Sequence, residues 1–210
     1  MALTLYDFPT SGNARKVRLL LAELGLEFEH VAVPRPRPRP DWYREVNPFG
    51  GVPAIRDGDL VLAESQAILR YLAARQGRDD LYPADPAARA RVDWALDAWT
   101  TTCFPRIMSL YRALVVETLD EAGTPHPENA DAAKVEQETP GARDGFGLWE
   151  QFVADDGTVV GGGFTIADCA CGPVLLRVGD AWPFELEAEF PKVARIRDAL
   201  QARPSASALP

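Results

Sequence analysis

Asn47-Pro48-Phe49-Gly50-Gly51-Val52-Pro53-Ala54-Ile55-Arg56-Asp57-Gly58-Asp59-Leu60-Val61-Leu62-Ala63-Glu64-Ser65-Gln66-Ala67-Ile68-Leu69 carries most of the architectural information in this chain. Val52 to Arg56 and Leu60 to Ala63 are two β-prone runs on either side of Asp57-Gly58-Asp59, a turn signal, so an antiparallel hairpin is expected. A helix follows, with Ile68, Leu69 and Leu72 on one face and Gly77 beyond its end. Upstream, Leu3 to Tyr6 reads as a strand. The segment from Arg15 to Leu24 sets Val17, Leu20, Leu21 and Leu24 at helical spacing, with Gly25 as its cap. Phe28 to Val33 is again β-type, with Val31 and Val33 two residues apart, which makes the opening a parallel, right-handed βαβ unit.

The order βαβ then ββα, closing near residue 76, is the thioredoxin-like arrangement, and it assigns an α/β domain to residues 1–77. Between its halves lies Pro34-Arg35-Pro36-Arg37-Pro38-Arg39-Pro40, which can be neither helix nor central strand. Each proline lacks an N–H and biases its predecessor toward extended geometry, so a stiff extended loop is predicted. Residues 86–210 read as an all-helical domain. Pro86 suits a first turn, and Val92, Ala95, Leu96, Trp99, Ile107 and Leu110 recur at helical spacing, with Pro105 expected to kink or divide the run. Residues 118–147 are rich in Gly, Pro, Asp and Glu, and Thr139-Pro140-Gly141 interrupts any helical pattern, so a loop or irregular helix is expected there. Thr165-Ile166-Ala167-Asp168 matches a capping box opening a helix to about Val178, Pro191 to Ala202 gives another, and the segment after Arg203 reads as a frayed tail.

Bulk properties narrow the function. The 210 residues carry 31 Asp and Glu against 22 Lys and Arg, a formal net charge of -9 that repels phosphate backbones and anionic lipid, so neither nucleic acid nor membrane is expected as a partner. The N-terminal residues lack the basic start and apolar core of a signal peptide, and no stretch reaches membrane-spanning length, which is the pattern of a cytosolic protein. Cys103, Cys169 and Cys171 have neither metal-ligand nor Cys-x-x-Cys spacing, and His30 and His126 are far apart. Neither a disulfide framework, a metal site nor a histidine-based triad is indicated.

The layout as a whole, together with Asn47 to Ala54 and Leu62-Ala63-Glu64-Ser65-Gln66-Ala67-Ile68, resembles the cytosolic glutathione transferases over nearly the full length. The loop Pro9-Thr10-Ser11-Gly12-Asn13-Ala14-Arg15-Lys16-Val17-Arg18 is most similar to the serine-type classes, including the phi class and its bacterial relatives. The resemblance implies glutathione as cosubstrate, no metal, a hydrophobic electrophile as second substrate, and a homodimer into whose partner Phe49 inserts. Peroxide reduction, dehalogenation, isomerisation and non-catalytic binding occur on the same fold.

The resemblance also implies roles. At Val52-Pro53 the family holds the proline bond cis, so that the backbone of the preceding residue pairs with the cysteinyl unit of glutathione like an added strand. Glu64 and Ser65, at a strand-to-helix junction, supply a carboxylate for the ligand's ammonium, and a hydroxyl with helix N-terminal N–H groups for its α-carboxylate. Ser11 is the candidate catalytic residue. Its hydroxyl would hydrogen-bond the glutathione sulfur and enlarge the thiolate fraction of a thiol whose ordinary pKa is about 8.5. Tyr6, Thr10 and Asn13 compete with it for that role. Arg39 is the nearest cation for the glycyl carboxylate, although the Arg-Pro alternation reads equally well as a solvated spacer. Trp99, Thr102, Cys103, Ile107 and Tyr111 are candidate lining residues for the electrophile.

Overall fold

A computed structural model describes residues 2–8 and 10–209. Met1, Pro210 and Pro9, the first residue of the quoted serine loop, lie outside the described residues. Residues up to Pro83, together with those from Pro204 onward, form one compact unit, and Ala84–Arg203 form another.

In the first unit the elements are β1 (Thr4–Asp7), α1 (Gly12–Leu24), β2 (Glu29–Ala32), α2 (Asp41–Val46), β3 (Ala54–Asp57), β4 (Leu60–Ala63) and α3 (Ser65–Arg75). The sheet order is β2-β1-β3-β4. β1 runs parallel to β2 and antiparallel to β3, which pairs with β4 across the Asp57-to-Leu60 turn. Strand alternation sorts the two faces. Leu5 and Ile55 are register partners and both fully buried, as are Val17, Leu20 and Leu21 of α1 and Ile68, Leu69 and Leu72 of α3. One residue along, Tyr6 and Ala54 face the other way, onto a second cluster with Val33 and Tyr43.

That second cluster explains α2, which has no counterpart in the sequence reading. Six residues following a proline run have weak intrinsic helicity, and burial of Tyr43 among Val33 and Ala54 supplies the stabilisation instead. α1 also begins earlier than the apolar periodicity indicates, at Gly12, because Ser11 caps it. The segment beyond Arg203 is not frayed: Pro204–Ala208 is a 3-10 helix against α1, and the Ser205 hydroxyl donates to the Glu23 carboxylate.

The second unit opens with α4 (Pro86–Ala98), capped by Asp85 through the Ala88 N–H at 2.8 Å. A π turn at Trp99–Cys103 joins it to α5 (Phe104–Tyr111), which carries Pro105 in its first turn, and a second π turn covers Arg112–Val116. The chain therefore stays helical through Pro105, with a π turn immediately before it in place of the expected kink or division. Where a loop or irregular helix is expected over residues 118–147, the helix α6 (Ala132–Phe152) runs continuously for 21 residues through Thr139-Pro140-Gly141. The Thr139 hydroxyl donates to the Val135 carbonyl at 2.6 Å, beside the backbone bond that Pro140 deletes. Gly145 lies so near α5 that an added Cβ would stand 2.8 Å from the Cys103 carbonyl oxygen and 2.8 Å from Ile107 Cγ1. Residues that look like helix breakers in sequence are thus the contact surface of a close helix pair.

α7 (Ile166–Val178), α8 (Leu186–Glu189) and α9 (Pro191–Gln201) complete this unit. Cys103, Cys169 and Cys171 are buried and form no disulfide among the described residues, and burial pushes the Cys103 thiol up to about 11. Among the described residues no helix is long and apolar enough to cross a membrane.

At the start of α7, Asp168 accepts from the Thr165 N–H at 2.8 Å, the Thr165 hydroxyl at 3.1 Å and the Val159 N–H at 2.9 Å, closing the capping box read from sequence. Burial nonetheless outweighs these bonds and raises its carboxyl to about 6. A carboxyl raised in the folded state stabilises most below its unfolded value near 4, and that contribution is lost as pH climbs through 6. Wild type should therefore hold its largest stability advantage over Asp168→Asn at pH ~4 and lose on the order of 2 kcal/mol of it by pH ~7 in urea titrations. An advantage that grows with pH would mean that the hydrogen bonds win over desolvation.

Candidate functional site

The register assembles the site. Tyr6 lies opposite Ala54, and Ala54 opposite Ala63, so one row crosses β1, β3 and β4. The chain continues from that row into Ser11 beyond β1 and into Glu64-Ser65 beyond β4, while Val52-Pro53 leads into it ahead of β3. Antiparallel pairing of β3 with both neighbours thus brings together, at one end of the sheet, segments separated by more than forty residues in sequence.

Ser11 is the N-cap of α1, with its backbone N–H donating to the Phe8 carbonyl at 2.9 Å. Its Oγ accepts weakly from the Ala14 N–H at 3.4 Å, and the hydroxyl proton has no acceptor among the described residues. The Tyr6 hydroxyl, by contrast, accepts from Arg56 Nε at 3.3 Å, and its ring lies beside Tyr43 on the α2 side of the sheet. Asn13 is exposed, Thr10 half-buried, and neither side chain makes a hydrogen bond among the described residues.

The Val52–Pro53 bond is cis. The Val52 N–H and C=O make no hydrogen bond among the described residues, whereas the preceding Gly51 carbonyl is doubly held, by the Tyr43 hydroxyl at 2.5 Å and Asn47 Nδ2 at 2.8 Å. Asn47 Oδ1 also accepts from the Phe49 N–H at 3.1 Å. Burial pushes Tyr43 up to about 12, so it remains a neutral donor. Neither Tyr43 nor Asn47 stands out functionally in sequence. Asn47 belongs to the quoted motif and gives a signal only through its position four residues before Gly51.

Glu64 is the N-cap of α3 but does not cap it with its side chain. Its backbone sits at φ 67°, ψ 114°, and among the described residues it is the one non-glycine with positive φ. Such a conformation costs of order 1–3 kcal/mol and persists where the surroundings impose it. The carboxylate is exposed and makes no ion pair among the described residues. Ser65 follows as the first residue of the helix, buried, beside the open N–H groups of that turn.

Arg39 is not a solvated spacer. Buried against the Phe8 ring, it donates through Nη1 to the carbonyls of Pro34, Arg35 at 2.5 Å and Pro36 at 3.4 Å, and through Nε to Gly50 at 3.1 Å. Nη2 makes no hydrogen bond among the described residues. Phe49, next to this anchor, is 79% exposed. Of the residues expected to line an electrophile site, Trp99, Cys103, Ile107 and Tyr111 are buried in the structure and Thr102 is exposed.

A family model described as the glutathione S-transferase N-terminal domain matches residues 5–80, and one for the C-terminal domain matches residues 132–199. The chain belongs to the glutathione S-transferase family. It is 34% identical to glutathione S-transferase 3 of Zea mays, over 97% of this chain and 90% of that one. It is 30% identical to a stringent starvation protein A homolog of Coxiella burnetii, over 84% and 76% of the two chains. A theta class glutathione S-transferase from Xanthomonas axonopodis pv. citri, solved with glutathione bound, superimposes with a TM-score of 0.82 at 28% identity, covering 99% of this chain and 96% of that one.

Within this family member the strain at Glu64 can be measured apart from any ligand. Glu64→Gly relieves the positive φ but adds chain entropy, and should raise the unfolding free energy by about 1 kcal/mol. Glu64→Ala keeps its Cβ and should give no such gain. Equal stabilities for the two variants would show that the backbone there is unstrained.

Proposed function

We propose that this chain is a serine-type glutathione transferase that conjugates the glutathione thiolate to a hydrophobic electrophile, acting in the cytoplasm without a metal. The observation that carries this reading is the Tyr6–Ala54–Ala63 row, at whose end Ser11, Val52, Glu64 and Ser65 meet with hydrogen-bonding groups that the protein itself does not use. In the same reading the domain of residues 1–77 holds the thiol and that of residues 86–210, whose last residues from Pro204 pack with the first unit, contributes the electrophile site.

In this mechanism Val52 pairs through its N–H and C=O with the cysteinyl unit, the turn into Pro53 keeping that edge open. The Glu64 carboxylate meets the ligand's ammonium, and the Ser65 hydroxyl with the first N–H groups of α3 meets its α-carboxylate. Arg39 Nη2 donates to the glycyl carboxylate while the rest of the guanidinium stays on the loop carbonyls. The Ser11 hydroxyl donates to the sulfur, and the N-terminus of α1 adds a favourable field for negative charge. The bound thiol then ionises below its free value, and the thiolate attacks the electrophile.

A hydrogen bond to a charged acceptor contributes about 1.5–3 kcal/mol, so Ser11→Ala should lower kcat/KM toward a chloronitrobenzene electrophile about ten- to hundredfold and move the thiol's pKa back toward 8.5. Tyr6→Phe should stay within about twofold. Loss confined to Tyr6→Phe would reverse the assignment. A second reading, glutathione binding without turnover, draws on the Coxiella relative, whose name is not that of a transferase. It is the correct one if glutathione raises the Tm of the wild type but no thiol-dependent conjugation is seen.

The oligomer belongs to the same proposal. Phe49 is 79% exposed, and the helical unit has a groove lined by Trp94, itself 64% exposed, with Phe152, Arg91 and Gln151. Seating Phe49 in that groove of a second copy makes a twofold homodimer. Phe49→Ser should then sediment as a monomer at micromolar concentration where wild type sediments as a dimer. Identical sedimentation of the two would remove Phe49 from the interface.

A further inference from the structure

Arg35 and Arg37 are exposed, and neither side chain makes a hydrogen bond or ion pair among the described residues. Their loop does not wander. Arg39 gathers the carbonyls of Pro34, Arg35 and Pro36 and ties them to Gly50, two residues before Val52. The prolines deny the loop helical alternatives, so the two outer guanidinium groups are carried beside the glutathione-gripping segment at little entropic cost. Asp41, the nearest acid in sequence, is within 4.0 Å of Arg44 and is not spent on Arg35 or Arg37. The charge of Arg37 is close enough to act on Arg39, whose guanidinium is lowered first by burial and then by that neighbour.

The charge of the whole chain makes these two residues matter. Residues 1–83 carry eleven Lys and Arg against eleven Asp and Glu, so the entire surplus of -9 lies in residues 84–210. Glutathione has two carboxylates and one ammonium, and its thiolate adds a further negative charge. An anion approaching so acidic a chain is repelled on average, and a local positive rim offsets that repulsion where the ligand must enter.

We propose that Arg35 and Arg37 form an electrostatic rim that captures anionic thiols and favours those with a free glycyl carboxylate, acting through their charge rather than through contact with the bound ligand. The inference rests on glutathione being the thiol held at Val52, Glu64 and Ser65. Two unit charges at roughly 10 Å from the ligand correspond to about a three- to fivefold change in affinity at low ionic strength, and to almost none once the Debye length falls to a few ångströms.

Calorimetric titration tests this with three proteins: wild type, an R35Q/R37Q double variant and an R35K/R37K double variant. Both variants change exposed side chains only and leave Arg39 and its carbonyl partners in place. At about 10 mM salt, R35Q/R37Q should bind glutathione about three- to fivefold more weakly than wild type, and the gap should close at about 500 mM. R35K/R37K keeps the charge and should match wild type at both salts. Against the glycyl ethyl ester of glutathione, the Gln variant should lose at most about half as much affinity in fold terms. Unchanged affinity of R35Q/R37Q at low salt overturns the rim. Equal weakening of the Lys and Gln variants also overturns it, since that pattern belongs to direct guanidinium contact. Failure of wild type to bind glutathione at either salt overturns the function proposed above, and the rim with it.

Discussion

A slip of one residue between β1 and β3 would set Leu5 opposite Ala54 or Arg56 instead of Ile55, so that one of the two strands would turn its core side chains to the other face of the sheet. The pairing of these two central strands therefore controls more than the sheet. β3 is antiparallel to both β1 and β4, so its N-terminal end meets the C-terminal ends of its neighbours. The polar segments that adjoin those three ends share one place, and the register that buries the core also determines which residues gather there. Core and site cannot be specified independently in this domain.

Around that junction, buried polar groups hold the loops rather than leaving them to local propensity. Asp7, fully buried at the end of β1, accepts two hydrogen bonds from Arg18, at 2.8 and 2.9 Å, and lies 2.7 Å from His30 Nε2. It anchors the strand end from which the Ser11 loop departs. Tyr43 and Asn47 hold the Gly51 carbonyl from two sides, and Arg39 joins the proline-rich loop to Gly50. Asp7, Tyr43, Asn47 and Arg39 are tolerated in the interior because each meets partners of opposite polarity, which offsets the cost of removing it from water. At the same end of the sheet, the Val52 N–H and C=O and the Glu64 carboxylate make no hydrogen bond or ion pair among the described residues. That contrast separates what supports the site from what can bind.

Much of this is legible in the sequence alone. The hairpin about Asp57-Gly58-Asp59, the cap at Gly25 and the Thr165–Asp168 box are local signals, since each depends on residues within a few positions of one another. The continuous α6 was not legible. Pro140 and three glycines, at 141, 145 and 147, lower its intrinsic helicity, and only the approach of α5, too close for a side chain at Gly145, makes that composition favourable. α2 and the 3-10 helix at Pro204–Ala208 were likewise hidden, because both depend on partners distant in sequence.

By itself, then, the sequence determined the βαβ-ββα order of the first unit's strands and main helices, the hairpin and the helix caps, which are written in short-range chemistry, while Ser11, Val52, Glu64 and Ser65 became candidates through the resemblance that their motifs carry. Tertiary structure alone decided that Arg39 is an anchor as well as a cation, that Tyr43 and Asn47 brace the Gly51 carbonyl, and that Glu64 holds a strained backbone. The physical reason is range. A cap or a turn is settled by neighbours along the chain, whereas a buried donor's partner and a forced dihedral depend on which distant segments pack against it.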